Sequence, residues 1–343
     1  MRKTFFLIIA LVLLFTSGAV AQNNPSPDGT IVEQAACPPN TVGTYEQYVE
    51  GVKSGYARTI EAAKKDGVKL EMPADFSKRI MSREAFERRK AYTGIDCRRI
   101  KYLSDGLKVV GYIWKPKNST GKKFPLIIFN RGGNRERSKL EPWMAGGFYE
   151  FVSNGFVVIA SQYRGADGGE GKEEYGGADV SDVLNLIPLA RSLGYADLNN
   201  VFMFGNSRGG MMTYLALKAG VPVKAAAVMS GVTDLFGNAA DHPDLVTTIY
   251  KELIPDFDRR REEAMRERSA VQWADKINVP LLIMHGSADR SIGAGRTLAF
   301  AQKLQELGKT YELVIYADGD HGLTLNRTDS DKRVLEWFRK YMK

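Results

Sequence analysis

From residue 97 to the C-terminus, short apolar runs alternate with stretches whose apolar residues recur every three or four positions. Short runs are typical of buried strands, and the three-to-four spacing is typical of helices that bury one face. The predicted strands cover residues 98–103, 107–114, 124–129, 156–160, 201–204, 223–229, 280–284 and 311–316. The predicted helices cover residues 139–153, 179–193, 294–307 and 331–341, with one more after residue 207. This order predicts an α/β protein with a mostly parallel, doubly wound sheet, helices on both faces and an N-terminal antiparallel hairpin.

Two regions fall outside this alternation. Residues 22–43 contain four prolines and read as an extended linker, while residues 44–65 and 82–92 have helical spacing, the second with Ser82 as its N-cap. Together, residues 22–96 are predicted to be a linker and a helical N-terminal extension, either a cap over the active site or a packing element.

Residues 232–276 contain no predicted strand and interrupt the alternation as a helical insertion. Their second half mixes arginine with acidic residues at helical spacing, which indicates a solvated helix face. The position of the insertion between two predicted strands suits a lid or a pocket wall, and a purely structural pair of helices fits equally well.

The N-terminus has the pattern of a cleavable signal peptide. Arg2 and Lys3 precede an apolar run over residues 5–15, and Ala19-Val20-Ala21 has the small residues of a signal-peptidase site. The run is short for a membrane-spanning helix. We therefore expect residues 1–21 to be removed after Ala21, leaving a secreted or periplasmic protein without a membrane anchor; an uncleaved anchor is the alternative.

Composition narrows the classes of function. The net charge of +8 is modest for 343 residues and forms no basic stripe, so a nucleic-acid partner is not expected. With three histidines and two cysteines the chain offers no cluster of metal ligands, and no metal or cofactor is expected. Cys37 and Cys97 are either paired or separate thiols. The oligomeric state cannot be read from the sequence.

The strongest chemical signal is the segment Gly205-Asn206-Ser207-Arg208-Gly209. It lies between an apolar run and a helical pattern, the order strand, G-x-S-x-G and helix that a nucleophile elbow requires. Glycines on both sides of the serine avoid collisions with the adjoining strand and helix. Ser207 is therefore the predicted nucleophile; a glycine-rich turn whose serine caps the helix is the alternative.

A serine nucleophile needs a base and an acid. His321 lies in a loop between the last predicted strand and helix, and is the predicted base. His285 ends an apolar strand and is expected to make a structural hydrogen bond, whereas His242 lies in the insertion. Asp289 follows the strand at 280–284 and is the predicted acid, in the order Ser207, Asp289, His321.

Three other aspartates compete for the role of the acid. Asp234 follows the preceding strand, and Asp318 and Asp320 stand beside His321. The last two are too close in sequence to orient the imidazole from behind.

Two donors are expected to bind the oxyanion of the tetrahedral intermediate. One is the backbone N–H of Arg208, and the other comes from the loop 130–133, where either Asn130 or Arg131 supplies it. The Arg208 side chain is expected to form a surface salt bridge, with binding of a substrate carboxylate as the alternative.

These motifs together resemble the α/β-hydrolase superfamily. Further segments are similar to the catalytic domain of the prolyl oligopeptidase (S9) family of serine peptidases, and the resemblance covers residues 97–343. The segments are Tyr163-Arg164-Gly165, Gly168-Gly169-Glu170-Gly171, residues 177–183 and Glu267-Arg268-Ser269-Ala270. The resemblance implies the α/β-hydrolase fold, the triad Ser207, Asp289 and His321, and cleavage of a peptide bond through an acyl-enzyme.

The sequence departs from the family pattern in three places. The residues between the signal and the hydrolase region are too few for the β-propeller that such peptidases carry. The tyrosine that donates to the oxyanion in several members is absent from the loop 130–133, and Arg208 stands where tyrosine often follows the nucleophile. A carboxylesterase or polysaccharide-ester deacylase on the same triad is therefore the first alternative, and a non-catalytic binding protein the second. The expected substrate is a small peptide or ester.

Overall fold

The computed structural model describes residues 27–38, 43–118, 121–141 and 147–343. The predicted signal peptide lies outside these residues. The strands of the described part form a nine-stranded sheet in the order β1-β2-β3-β5-β4-β6-β7-β8-β9. They are β1 Ile31–Ala36, β2 Ile95–Ser104, β3 Leu107–Pro116, β4 Phe124–Asn130, β5 Val157–Ser161, β6 Ala196–Asn206, β7 Ala225–Met229, β8 Leu281–Gly286 and β9 Tyr311–Tyr316.

The strands β1, β2, β3 and β5 pair antiparallel, and the pairs from β5 through β4 to β9 are parallel. The predicted mostly parallel sheet with an antiparallel N-terminal hairpin is therefore confirmed. Parallel strands need crossover connections, and here these connections contain helices. The carboxyl ends of the parallel strands therefore all lie at one edge of the sheet.

Helices cover both faces of the sheet and bury two apolar clusters against it. The helices are α1 Tyr45–Lys65, α2 Phe76–Arg79, α3 Arg83–Ala91, α4 Tyr149–Ser153, α5 Val180–Leu184, α6 Leu186–Ser192, α7 Arg208–Lys218, α8 Leu235–Asp241, α9 Lys251–Leu253, α10 Phe257–Glu267, α11 Ala294–Glu306 and α12 Arg327–Tyr341. A π-helical turn at Val246–Tyr250 and a 3-10 helix at Ala270–Lys276 complete the insertion, which contains no strand.

The prediction that residues 22–43 form a linker is wrong for Ile31–Ala36. These six residues form β1, which adds an antiparallel edge strand to β2. Five of the six side chains are exposed, so the segment lacks the alternating pattern that marks a half-buried strand. A disulfide between Cys37 and Cys97 ties the end of β1 to β2, which settles the pairing that the sequence left open.

Two helix predictions also need correction. Residues 139–141, the start of the helix predicted over 139–153, are not helical, and α4 covers only Tyr149–Ser153; residues 142–146 lie outside the described part. The helix predicted over 179–193 divides into α5 and α6. Pro188 stands in the first turn of α6, where the missing N–H costs no helical hydrogen bond.

The N-terminal extension packs on the loop that carries His321. Its long helix α1 begins at Thr44, whose hydroxyl accepts from Gln47 N while the Gln47 side chain accepts from Thr44 N, a capping box. The buried Tyr56 of α1 donates its hydroxyl to Asp318 O at 2.8 Å. The extension therefore supports one side of this loop. No helix among the described residues is long and apolar enough to cross a bilayer.

Candidate active site

Ser207 lies on the sharp turn between β6 and α7. Its backbone angles, φ 55° and ψ −125°, are strained for a residue with a side chain. The turn is possible because Gly205 and Gly209 have no side chains. A Cβ on Gly205 would overlap the Gly209 carbonyl, and a Cβ on Gly209 would overlap the Asn130 carbonyl. The sequence G-x-S-x-G thus folds into the predicted elbow and places the serine hydroxyl at the N-terminus of α7.

His321 and Asp289 complete a hydrogen-bonded chain with this serine. His321 Nε2 lies 2.9 Å from Ser207 Oγ, and His321 Nδ1 lies 2.8 Å from Asp289 Oδ2. The side chain of His321 is 31% exposed, whereas that of Asp289 is fully buried. An imidazole open to solvent on one side and held by a buried carboxylate on the other has the geometry of a general base.

Two strand ends bring this chain together. Asp289 lies in the loop after β8 and His321 in the loop after β9, at the carboxyl edge of the sheet. The two loops pack closely, because a Cβ on Gly286 would overlap the Gly319 carbonyl. Glycine at 286 therefore allows the approach that puts the carboxylate behind the imidazole.

Four nitrogens surround the carboxylate of Asp289. Its Oδ1 accepts from Ser291 N at 2.8 Å and Ile292 N at 3.0 Å, and its Oδ2 faces His321 Nδ1 and, at 3.1 Å, His285 Nε2. Burial acts to raise the pKa of Asp289, but hydrogen bonds from His285 and His321 outweigh it and hold that pKa well below its ordinary value. Asp289 therefore stays ionised beside the imidazole at neutral pH.

The competing aspartates have other partners. Asp234 accepts from Phe236 N and caps α8. Asp320 accepts from Thr324 N and from the Thr324 hydroxyl, both at 2.6 Å. The backbone oxygen of Asp318 accepts from Tyr56 in the N-terminal extension. None of these contacts is to His321, whereas Asp289 lies within hydrogen-bond distance of its Nδ1.

The loop after β4 faces the nucleophile through its glycine. A Cβ on Gly132 would lie 3.2 Å from Ser207 Cβ and 3.7 Å from Ser207 Oγ. The predicted donors Asn130 and Arg131 have side chains with other partners: Asn130 Nδ2 donates to Thr213, and the Arg131 guanidinium donates to four backbone oxygens. The contact of this loop with the serine that the structure shows is therefore at Gly132.

The expectation of a surface salt bridge at Arg208 is wrong. Its side chain is 2% exposed; Nη1 donates to Glu173 Oε2 at 2.6 Å, and Nη2 donates to Asp179 Oδ2. The guanidinium also lies against the rings of Tyr163 and Tyr175, at 4.8 and 4.9 Å from their centroids. Burial would lower the pKa of Arg208, but Asp179 and Glu173 outweigh it and raise that pKa.

This buried cluster fixes the surroundings of the serine. Arg208 Nη1 also donates to Gly133 O at 3.1 Å, so the residue after the nucleophile holds the loop that approaches it. Sequence reasoning missed Glu173 and Asp179. Asp179 stood in the family-like segment 177–183, but nothing in the sequence joined it to Arg208.

The helical insertion contacts two segments that lie near Ser207 and Arg208. Its Glu252 pairs with Arg135 of the loop after β4, and the ring of its Tyr250 lies 5.6 Å from that of Tyr175. The insertion therefore packs on the loop after β4 and on the ring beside Arg208. In the described part of the chain, no three histidine, cysteine or acidic side chains are grouped to hold a metal ion.

The serine lies on the elbow of a mostly parallel sheet and is hydrogen-bonded to a histidine, which is in turn hydrogen-bonded to an aspartate. With the histidine and the aspartate in loops after later strands, this arrangement defines an α/β-hydrolase. Within that class the chain belongs to the prolyl oligopeptidase family, whose model matches residues 143–343. The protein is therefore a serine hydrolase of the peptidase family S9.

Individual relatives agree with this membership. The uncharacterized peptidase YtmA of Bacillus subtilis is 28% identical over 245 residues, which cover 71% of this chain and 92% of that protein. The acylamino-acid-releasing enzyme of Sus scrofa is 26% identical over 250 residues, covering 66% of this chain and 32% of that protein.

Solved structures give the same result for the fold. The acylaminoacyl peptidase of Pyrococcus horikoshii superposes with a TM-score of 0.64 and 25% identity, over 77% of this chain and 44% of that one. The dipeptidyl peptidase 4 of Porphyromonas gingivalis superposes with a TM-score of 0.60 and 22% identity, over 75% and 37%. The chain thus spans less than half the length of either solved peptidase.

Proposed function

We propose that the protein is a serine peptidase that cleaves small peptides through an acyl-enzyme on Ser207. The observation that carries the proposal is the continuous hydrogen-bonded chain from Ser207 Oγ through His321 to Asp289. Family membership supports amide-bond cleavage, because the named relatives are peptidases.

In this mechanism His321 Nε2 takes the Ser207 proton as the hydroxyl attacks the scissile carbonyl. The Nδ1–H of the imidazole donates to Asp289, which fixes the tautomer and stabilises the imidazolium. His321 then gives the proton to the leaving amine, and the acyl-enzyme forms. A water molecule attacks the ester in the second half, with His321 again as the base, and Ser207 is restored.

The oxyanion of each tetrahedral intermediate would be bound by backbone donors. Arg208 N is the first helical position after the nucleophile, where the N–H is free of helical hydrogen bonding and the dipole favours negative charge. The second donor comes from the backbone of the loop after β4, where Gly132 lies against Ser207. The nearness of Gly132 supports a donor N–H on that residue in place of the Asn130 or Arg131 expected from the sequence.

A fluorophosphonate probe tests the nucleophile directly. We expect stoichiometric labelling of the wild-type protein and none of Ser207→Ala, because the probe bonds only to an activated serine. Ser230→Ala is the matched control. Ser230 is a buried serine that lies near the same edge of the sheet, and its φ is positive like that of Ser207. Labelling that persists in Ser207→Ala would remove the assignment.

The bond that is cleaved needs a separate measurement. Turnover of chromogenic aminoacyl and peptidyl amides by the wild type, lost in Ser207→Ala, is the expected result. Turnover of acyl esters with none of the amides would instead make the protein an esterase on the same residues.

We also propose that the mature protein is secreted or periplasmic. The signal-peptide pattern of residues 1–21 supports this, and so does the Cys37–Cys97 disulfide, because disulfides persist in oxidising compartments. N-terminal sequencing of the protein recovered from periplasm or medium is expected to begin at Gln22. A cell-retained protein that keeps residues 1–21 would contradict the proposal.

A further inference from the structure

We propose that His285 is a positioning residue for the triad: it donates a hydrogen bond to Asp289 and so orients the carboxylate that holds His321. The inference deepens the proposed function and rests on it. The chain then has two histidines on one carboxylate oxygen, one facing Ser207 and one buried behind it.

The contacts of His285 leave it one role at each ring nitrogen. Its Nε2 lies 2.9 Å from Ile292 O and 3.1 Å from Asp289 Oδ2, both of which can only accept. Its Nδ1 lies 2.8 Å from the Thr297 hydroxyl, which can donate. With the Thr297 hydroxyl donating to Nδ1, the ring carries its proton on Nε2, and this one N–H is shared between Ile292 O and Asp289 Oδ2.

The position of the ring is fixed by the fold. His285 is fully buried at the end of β8, four residues before Asp289. Thr297, also fully buried, holds Nδ1 from α11, so a helix and a strand set the ring from two sides. A donor held this rigidly keeps Asp289 Oδ2 at one place, which is the place where His321 Nδ1 meets it.

Sharing Oδ2 between two histidines also has an electrostatic consequence. The groups that face this carboxylate with titratable nitrogens are His285 and His321. A neutral donor at Nε2 disperses part of the charge on Asp289 without cancelling it. Without that donor, the carboxylate is more basic and holds the imidazolium of His321 more tightly.

Two substitutions separate positioning from packing. His285→Leu fills the space without a donor, whereas His285→Gln can present its Nε2 amide at the same distance from the backbone. We expect His285→Leu to lower kcat about 10- to 100-fold, by analogy with the loss seen when a residue that orients a metal-binding side chain is removed. KM should change little, and the acid limb of the kcat/KM profile should move to higher pH.

His285→Gln should recover most of the lost kcat and restore the wild-type acid limb. Recovery by a donor of different shape would not occur if the ring served only to fill space. Wild-type kcat and an unmoved acid limb in folded His285→Leu would overturn the proposal, as would equal losses in both variants.

A measurement on the unaltered protein needs neither variant nor substrate. The chain has three histidines, so ¹⁵N-histidine spectra resolve each ring, and we expect His285 as the neutral tautomer with its proton on Nε2. A proton on Nδ1 would overturn the inference. If the wild type failed to label with fluorophosphonate, the proposed function would fail, and this spectrum would still decide whether His285 Nε2 carries the proton that a hydrogen bond to Asp289 requires.

Discussion

Replacing Asp289 with asparagine is expected to lower kcat about 10⁴-fold, the loss found when the acid of a serine triad becomes an amide. The local contacts explain why. The amide oxygen can still accept from Ser291 N and Ile292 N, so the loop keeps its shape. The amide nitrogen then faces His321 Nδ1 and makes it an acceptor, which leaves the proton on Nε2, where it cannot receive another from Ser207.

The measurement is kcat for a peptidyl amide, with circular dichroism to confirm folding. Asp234→Asn is the matched control, because Asp234 follows the preceding strand and only caps α8. We expect its kcat within about twofold of wild type, since an N-cap asparagine replaces aspartate at little cost. If Asp289→Asn kept a near-wild-type kcat, or if Asp234→Asn showed the larger loss, the assignment of Asp289 as the acid would be wrong.

The sequence predicted those parts of the fold and site that depend on short segments with a strong pattern. The elbow is local: five residues between a strand and a helix determine the turn at Ser207. His321 and Asp289 could be proposed because parallel strands end at a common edge. In the structure His321 contacts both Ser207 and Asp289 at hydrogen-bond distance. Their roles in catalysis stay predictions.

The failures involve contacts between distant segments. The sequence predicts a surface salt bridge at Arg208, whereas its partners Glu173 and Asp179 lie 35 and 29 residues away and are buried with it. Strand β1 escaped notice because an edge strand with exposed side chains carries no apolar alternation. In both cases the outcome is decided by contacts between segments that are distant in the sequence, which no local pattern records.

Replacing Arg208 with methionine is expected to lower the free energy of unfolding by about 3–5 kcal/mol, the cost of removing one partner from a buried ion pair. Glu173 and Asp179 would be left buried without the guanidinium that pairs with both of them. The same change at Arg259, whose pair with Asp256 is exposed, should cost less than about 1 kcal/mol. Urea denaturation of both variants gives the comparison.

A charge-neutral background separates the loss of the ion pairs from the loss of packing against Tyr163 and Tyr175. Adding Glu173→Gln and Asp179→Asn to Arg208→Met should restore part of the stability. Each amide oxygen can still accept the backbone hydrogen bond that the carboxylate now accepts, from Arg135 N and from Gly176 N. If the free energy of unfolding of Arg208→Met lies within about 0.5 kcal/mol of the wild-type value, the change has the effect of an ordinary surface substitution. The cluster would then not stabilise the elbow. If the triple variant gains nothing, the arginine acts through its contacts with the two rings, since the buried carboxylates would then carry no cost.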